Sequence, residues 1–90
     1  MDNLTEYIVT ASNGFYFNAD TWQEDGFVFE NPKEAREAYT IACNDMEENG
    51  SDVSVFLIQR SVAYNPTLKS YDFERAEEKI IEQKHISLED

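Results

Sequence analysis

The 90-residue sequence predicts an α+β fold: a small antiparallel sheet, made of an N-terminal β-hairpin and two further strands, with one helix packed on it and a second helix at the C-terminus. Three observations carry this expectation. Residues 6–19 alternate in the manner of a hairpin, residues 31–50 have helical apolar spacing between a good start and a good stop, and residues 53–60 form a continuous apolar strand. Helices segregated onto a sheet are one of the few stable ways for so short a chain to bury its apolar faces.

In EYIVTASNGFYFNA, Tyr7, Val9 and Ala11 alternate with Ile8 and Thr10, and Phe15, Phe17 and Ala19 with Tyr16 and Asn18. Asn13-Gly14 lies between the two runs and suits a type I′ turn. DTWQEDG at 20–26 is expected to be a loop, and Phe27–Phe29 a short third strand. Asn31 is a suitable N-cap, Pro32 fits the first helical position, and Glu34 has capping-box spacing. Ala35, Ala38, Tyr39, Ala42 and Met46 then line one helical face, and Gly50 is placed to end the helix.

Val53, Val55 and Leu57 face one side of the next strand, and Phe56 and Ile58 the other, which predicts a central strand covered twice. Asn65-Pro66 marks a turn. FERAEEKIIEQK at 73–84 has Phe73, Ala76, Ile80 and Lys84 at helical spacing, with Ile81 beside them. This second helix, or a second copy of the protein, would cover the far face of the strand. Residues 1–90 are expected to form a single domain with 85–90 as a loose tail.

The composition narrows the function. The chain is 41% hydrophobic and 13% aromatic, values of a folding sequence. It lacks an apolar run long enough to span a membrane, and its acidic N-terminus is unlike a secretory signal, so a cytoplasmic protein is expected. Cys43 is the only cysteine and His85 the only histidine, too few for a zinc site built from them. Cys43 beside a buried stripe and His85 in a fraying tail make a poor nucleophile pair.

DMEENGSD at 45–52 has the early oxygen ligands and the glycine of a calcium loop. Its twelfth position is Phe56, where the bidentate glutamate belongs, so the spacing argues against calcium. Three glycines cannot form a phosphate-cradling loop, and one thin layer is a poor host for a catalytic pocket. No cofactor and no catalytic residues are expected.

What stands out is charge. Nineteen acids against seven bases give −12, with a pI near 4.2. Residues 1–59 hold twelve of the acids and two bases, Lys33 and Arg36, for −10. Such a field disfavours nucleic acid and anionic membranes as partners and favours a basic protein. Glu34, Glu37, Asp45 and Glu48 lie roughly opposite the alanine side of the first helix and span about 21 Å. Glu30 and Asp52 flank the helix, Glu47 neighbours Glu48, and Asp20, Glu24 and Asp25 lie in the preceding loop. Tyr7, Phe15, Phe17, Phe27 and Phe29 are assigned to the core. Trp22, inside the acidic loop, is either a lid on the sheet edge or an exposed interface anchor.

In size, charge and the carboxylates from Asp20 to Asp52, the chain resembles small acidic DNA-mimic proteins, many of them phage-encoded inhibitors of host DNA-binding proteins. The resemblance is one of class, without a shared motif. It implies a partner that holds phosphates with Lys and Arg: a nucleoid-associated protein such as HU, a restriction nuclease or a repair enzyme. A homodimer would present two acidic faces. The competing reading is a small adaptor that binds through its sheet edge or an apolar face, its acidity serving solubility or adaptation to high salt.

Overall fold

A computed structural model describes residues 3–18, 21–24, 26–50 and 52–87. Its main sheet has five antiparallel strands. In chain order, the elements are β1 (Leu4–Ala11), β2 (Tyr16–Phe17), β3 (Trp22–Gln23), α1 (Pro32–Glu48), β4 (Val53–Val62), β5 (Tyr64–Asn65), β6 (Ser70–Tyr71), a 3-10 turn (Phe73–Arg75) and β7 (Glu77–Ile86). The sheet order is β3-β2-β1-β4-β7, and β5 and β6 form a separate two-stranded ribbon.

The hairpin is present, but its turn differs from the type I′ expectation. Gly14 has φ 91° while Asn13 does not enter the left-handed region. Gly14 N–H closes on Ala11 O at 3.0 Å, and Asn13 Oδ1 accepts from Phe15 N–H. This is a turn followed by a left-handed glycine, the solution used by slightly longer hairpin loops. The returning strand is also shorter than expected. The third strand is Trp22–Gln23 rather than Phe27–Phe29; Phe29 instead makes an isolated antiparallel bridge to Tyr7, with Tyr7 N–H to Phe29 O at 2.8 Å and Phe29 N–H to Tyr7 O at 2.7 Å. Phe27 and Phe29 meet edge to face at 4.9 Å.

Helix α1 follows its sequence signals. Asn31 Oδ1 accepts from Lys33 N–H at 2.8 Å and Glu34 N–H at 3.4 Å, with Pro32 at the first helical turn. Asn49 caps the far end, and Gly50 takes φ 66° just beyond it. Ala35, Ala38, Ala42, Cys43 and Met46 are buried. Three alanines let the backbone approach the sheet closely, and Val9, Ala11, Phe17, Val55 and Leu57 lie in the same cluster.

β4 is central, between β1 and β7, as its sequence implies. The unbroken β1–β4 register puts Val9, Ala11, Val55 and Leu57 under the helix and Ile8, Phe56 and Ile58 on the reverse face. No second helix covers that reverse face among the described residues. The predicted helix over 73–84 is replaced by a 3-10 turn and the ten-residue strand β7. The register of β7 against β4 shifts where Leu57 pairs with Glu82 and Ile58 with Ile80, leaving Ile81 as an extra residue. That bulge breaks the period-two alternation and gives the apolar positions an accidental helical spacing. Pairing with the otherwise unsatisfied edge of β4 outweighs the local helical preference.

The loose tail is also corrected in part. His85 and Ile86 belong to β7, and Ile86 is only 5% exposed within the main core. On the reverse face, residues 63–76 close back through Asp72 N–H to Ala63 O and carry Phe73 to the Arg60 guanidinium, 5.6 Å from the ring centroid. Asn65 Oδ1 accepts from Thr67 N–H at 2.9 Å, giving the predicted Asn65-Pro66 turn its geometry. Ile8 and Val62 are buried, whereas Ile80 remains 52% exposed. Among the described residues, no helix is long and apolar enough to cross a membrane.

Candidate partner-binding surface on helix α1

The acidic residues divide into those tied into the structure and those left free for solvent. Asp45 is tied: its Oδ2 accepts a 2.9 Å hydrogen bond from the Trp22 indole N–H. Trp22 is half-buried, packs on the core and lies 4.9 Å from Phe17, centroid to centroid. The indole thus joins β3 to α1, with part of the ring packed on the core and part left at the surface. Glu47 is paired with Lys84 of β7. Asp52 Oδ1 lies 3.3 Å from His85 Nε2. Asp20 and Asp25 lie outside the described residues.

Glu34, Glu37 and Glu48 have no ion-pair partner among the described residues, and Lys33, four residues before Glu37, does not pair with it. At 100° per residue, they point within a sector of about 60°. Ile41 lies in the middle of that sector and is 47% exposed. Glu30, just before the N-cap, and Glu24 are exposed as well. The expected array thus contracts to a stripe of three carboxylates around an apolar residue, with Glu30 and Glu24 outside it. Ile41 has no periodic signature in the sequence, because it lies off the buried stripe of α1.

The opposite flank of α1 is neutralised. Arg36 pairs with Glu82 at 2.7 Å, and Lys84 pairs with Glu47, so two ion pairs clamp the helix to β7. Beneath them, burial and then Cys43 push the Tyr39 hydroxyl up to about 12. Burial likewise raises the Cys43 thiol, which makes it an inert core-edge thiol rather than a nucleophile. The Glu47 carboxylate holds the Lys84 ammonium charged above its ordinary range.

At the end of the sheet, Ser54 Oγ and His85 Nδ1 are 2.9 Å apart, and Asp52 reaches the other ring nitrogen. The order Ser–His–Asp has the connectivity of a hydrolytic triad. The imidazole and carboxylate are, however, mostly solvent-exposed, and Ser54 N–H is spent on Ser12 Oγ at 3.0 Å. Ser54 and His85 are direct cross-strand neighbours, so register alone brings them together. The cluster is a polar clasp on the strand ends.

Beside the last turn of α1, Asn13, Phe15, Trp22, Asp45, Met46 and Asn49 surround an open depression of about 350 Å³. Phe15 is therefore half-buried at its wall rather than part of the main core. No group of three or more His, Cys, Asp or Glu among the described residues is arranged to hold a metal ion. The chain matches no family model, no curated protein and no solved structure.

Proposed function

We propose that this protein binds a basic DNA-binding protein and occupies its DNA-binding surface, with the exposed stripe of α1 as the contact. The observation that carries the reading is the set Glu34, Glu37 and Glu48, three exposed carboxylates without ion pairs among the described residues, on one face of a capped, sheet-backed helix. They span about 21 Å, a length over which duplex DNA, at one charge per about 1.7 Å, presents about twelve phosphates. The stripe therefore imitates a sparse sampling of the backbone and not its full density. An exposed ion pair contributes about 0.2–1 kcal/mol, whereas micromolar affinity needs about 8 kcal/mol. Apolar contact at Ile41 and further carboxylates at Glu24 and Glu30 have to supplement the stripe.

The targets that fit are proteins that grip backbone and shape, because carboxylates cannot reproduce the hydrogen-bond pattern of base edges. The test is capture from bacterial lysate followed by binding measurements with the recovered protein. Affinity should fall steeply with salt, and excess duplex DNA should displace the acidic protein. Binding that ignores both salt and DNA would overturn the proposal.

One observation favours a second reading. Ile80 and Phe73 are exposed, and β7 is a ten-residue edge strand, which suits an adaptor that adds a partner's strand or covers the reverse face. The bulge at Ile81 and the charged residues along β7 protect that edge against pairing, so this reading ranks second. Its affinity would respond little to ionic strength.

A further inference from the structure

We infer that the depression beside the last turn of α1 is a receptor for one arginine side chain of the partner. The inference rests on the proposed binding of a basic protein and names the anchor that the sparse carboxylate stripe lacks.

The lining has the chemistry a guanidinium needs. Phe15, Trp22 and Met46 supply apolar and aromatic walls, suited to the methylene stem and to the flat face of the cation. Asp45 stands among them. The indole N–H occupies its Oδ2, which orients the carboxylate and leaves Oδ1 as the acceptor for a cationic donor. Asn13 and Asn49 complete the lining with polar side chains, the Asn13 Oδ1 already accepting from Phe15 N–H.

The helix adds its own field. Asp45 lies in the last turn of α1, where carbonyl groups carry the negative end of the dipole, and no basic residue occupies that turn. Carboxylates are disfavoured at such a position, and a bound cation relieves the conflict. The depression, about 350 Å³ and open to solvent, is large enough to admit an arginine side chain. Asp45, on the wall of the depression, lies three residues before Glu48 of the acidic stripe on α1.

Arginine is favoured over lysine. A planar guanidinium can lie against an aromatic wall while donating edge-on to a carboxylate, and it sheds its hydration more readily than an ammonium does.

The test uses the intact protein and blocked arginine (N-acetyl-arginine N-methylamide), with blocked citrulline as its neutral counterpart and blocked lysine as a second cation. Trp22 is the only tryptophan, so its fluorescence and indole N–H resonance report on the site. Blocked arginine should produce a saturable change, with citrulline at least tenfold weaker and lysine in between. Asp45→Asn, which keeps an acceptor for the indole, should reduce arginine binding to the citrulline level.

No saturable response to arginine, or equal responses to arginine and citrulline, would overturn the inference on the unmodified protein, whatever the variants do. Those results would leave the stripe reading standing if a basic partner still binds. An arginine site in a protein that captures no DNA-binding partner would sink only the broader proposal.

Discussion

The Trp22 indole N–H donates to Asp45 Oδ2 across 2.9 Å, and this bond joins a two-residue strand to the last turn of the only α-helix among the described residues. A β3 of two residues has little ladder of its own, so its position depends on this bond and on Phe17. Trp22→Phe keeps most of the apolar contact and removes the donor, leaving a half-buried carboxylate without its partner. The expected loss is about 1–3 kcal/mol. Asp45→Asn should cost less than about 1 kcal/mol, because an amide oxygen still accepts. Urea unfolding of the two variants measures the difference; equal losses would mean that the bond contributes nothing.

Glu6 and Arg60 make a second strong commitment. Glu6 is 6% exposed, on the reverse face of β1, and its Oε1 accepts from Arg60 Nη2 at 2.9 Å. Arg60→Ala strands a buried carboxylate and also removes the contact with Phe73. The expected destabilisation is near the lower end of about 3–5 kcal/mol, because part of the guanidinium still meets solvent. Glu6→Gln together with Arg60→Met removes both charges and should recover more than half of that loss. A double variant no more stable than Arg60→Ala would show that the ion pair is not the source of the cost.

The alkaline limb of the stability curve is set on one flank of α1. The folded protein raises the thiol of Cys43, the hydroxyl of Tyr39 to about 12, and the ammonium of Lys84. A group whose folded value lies above its unfolded value contributes stability that is complete below the unfolded value and lost as pH rises through the folded one. Stability should therefore hold to about pH 8.5, where unfolded thiols begin to ionise, and decline from there to about pH 12. Tyr39 accounts for on the order of 1–2 kcal/mol of the decline after discounting for its partial exposure. Tyr39→Phe should flatten the upper part of the curve and Cys43→Ser the lower part. Thermal melts at stepped pH decide it; a decline of the same size in both variants would refute the assignment.

Much of this architecture is readable from residues whose local preference and tertiary environment agree. Asn31, Pro32, the alanine stripe and Gly50 specify α1 to within a residue or two, because caps and periodicity point the same way. The alternation of Tyr7, Val9 and Ala11 likewise specifies β1. β7 is illegible for a physical reason. The bulge at Ile81 disrupts its period, and Glu82 and Lys84 face α1 as clamp residues, so their polarity signals a helix-facing salt bridge and not solvent.

The carboxylate array is legible only in outline. Sequence spacing placed Glu34, Glu37 and Glu48 on one face, and they share it. It could not foresee that Glu47 faces Lys84, because the two are 37 positions apart, or that Asp45 turns to the indole. Phe15, Asn13, Met46 and Asn49 escaped notice as a group because they converge only when the hairpin turn comes to rest beside the helix end.

Reversing Glu34, Glu37 and Glu48 to lysine separates binding from folding. Glu34 lies in the first turn of α1, where a carboxylate is favoured by the dipole, so its reversal costs about 0.3–1 kcal/mol. Glu48 ends the helix, where a lysine is favoured, and its reversal returns a similar amount. Glu37 is exposed and has no ion pair among the described residues, and its reversal is nearly neutral. The triple variant should therefore melt within a few degrees of the parent, since about 1 kcal/mol shifts the midpoint of a domain this small by only about 4–8 °C. Affinity for the basic partner should fall at least tenfold, because three attractions of about 0.2–1 kcal/mol each become repulsions. The salt dependence of whatever binding remains should become shallower in step. A folded triple variant that binds with its original affinity and salt slope would exclude this face of α1 as the contact.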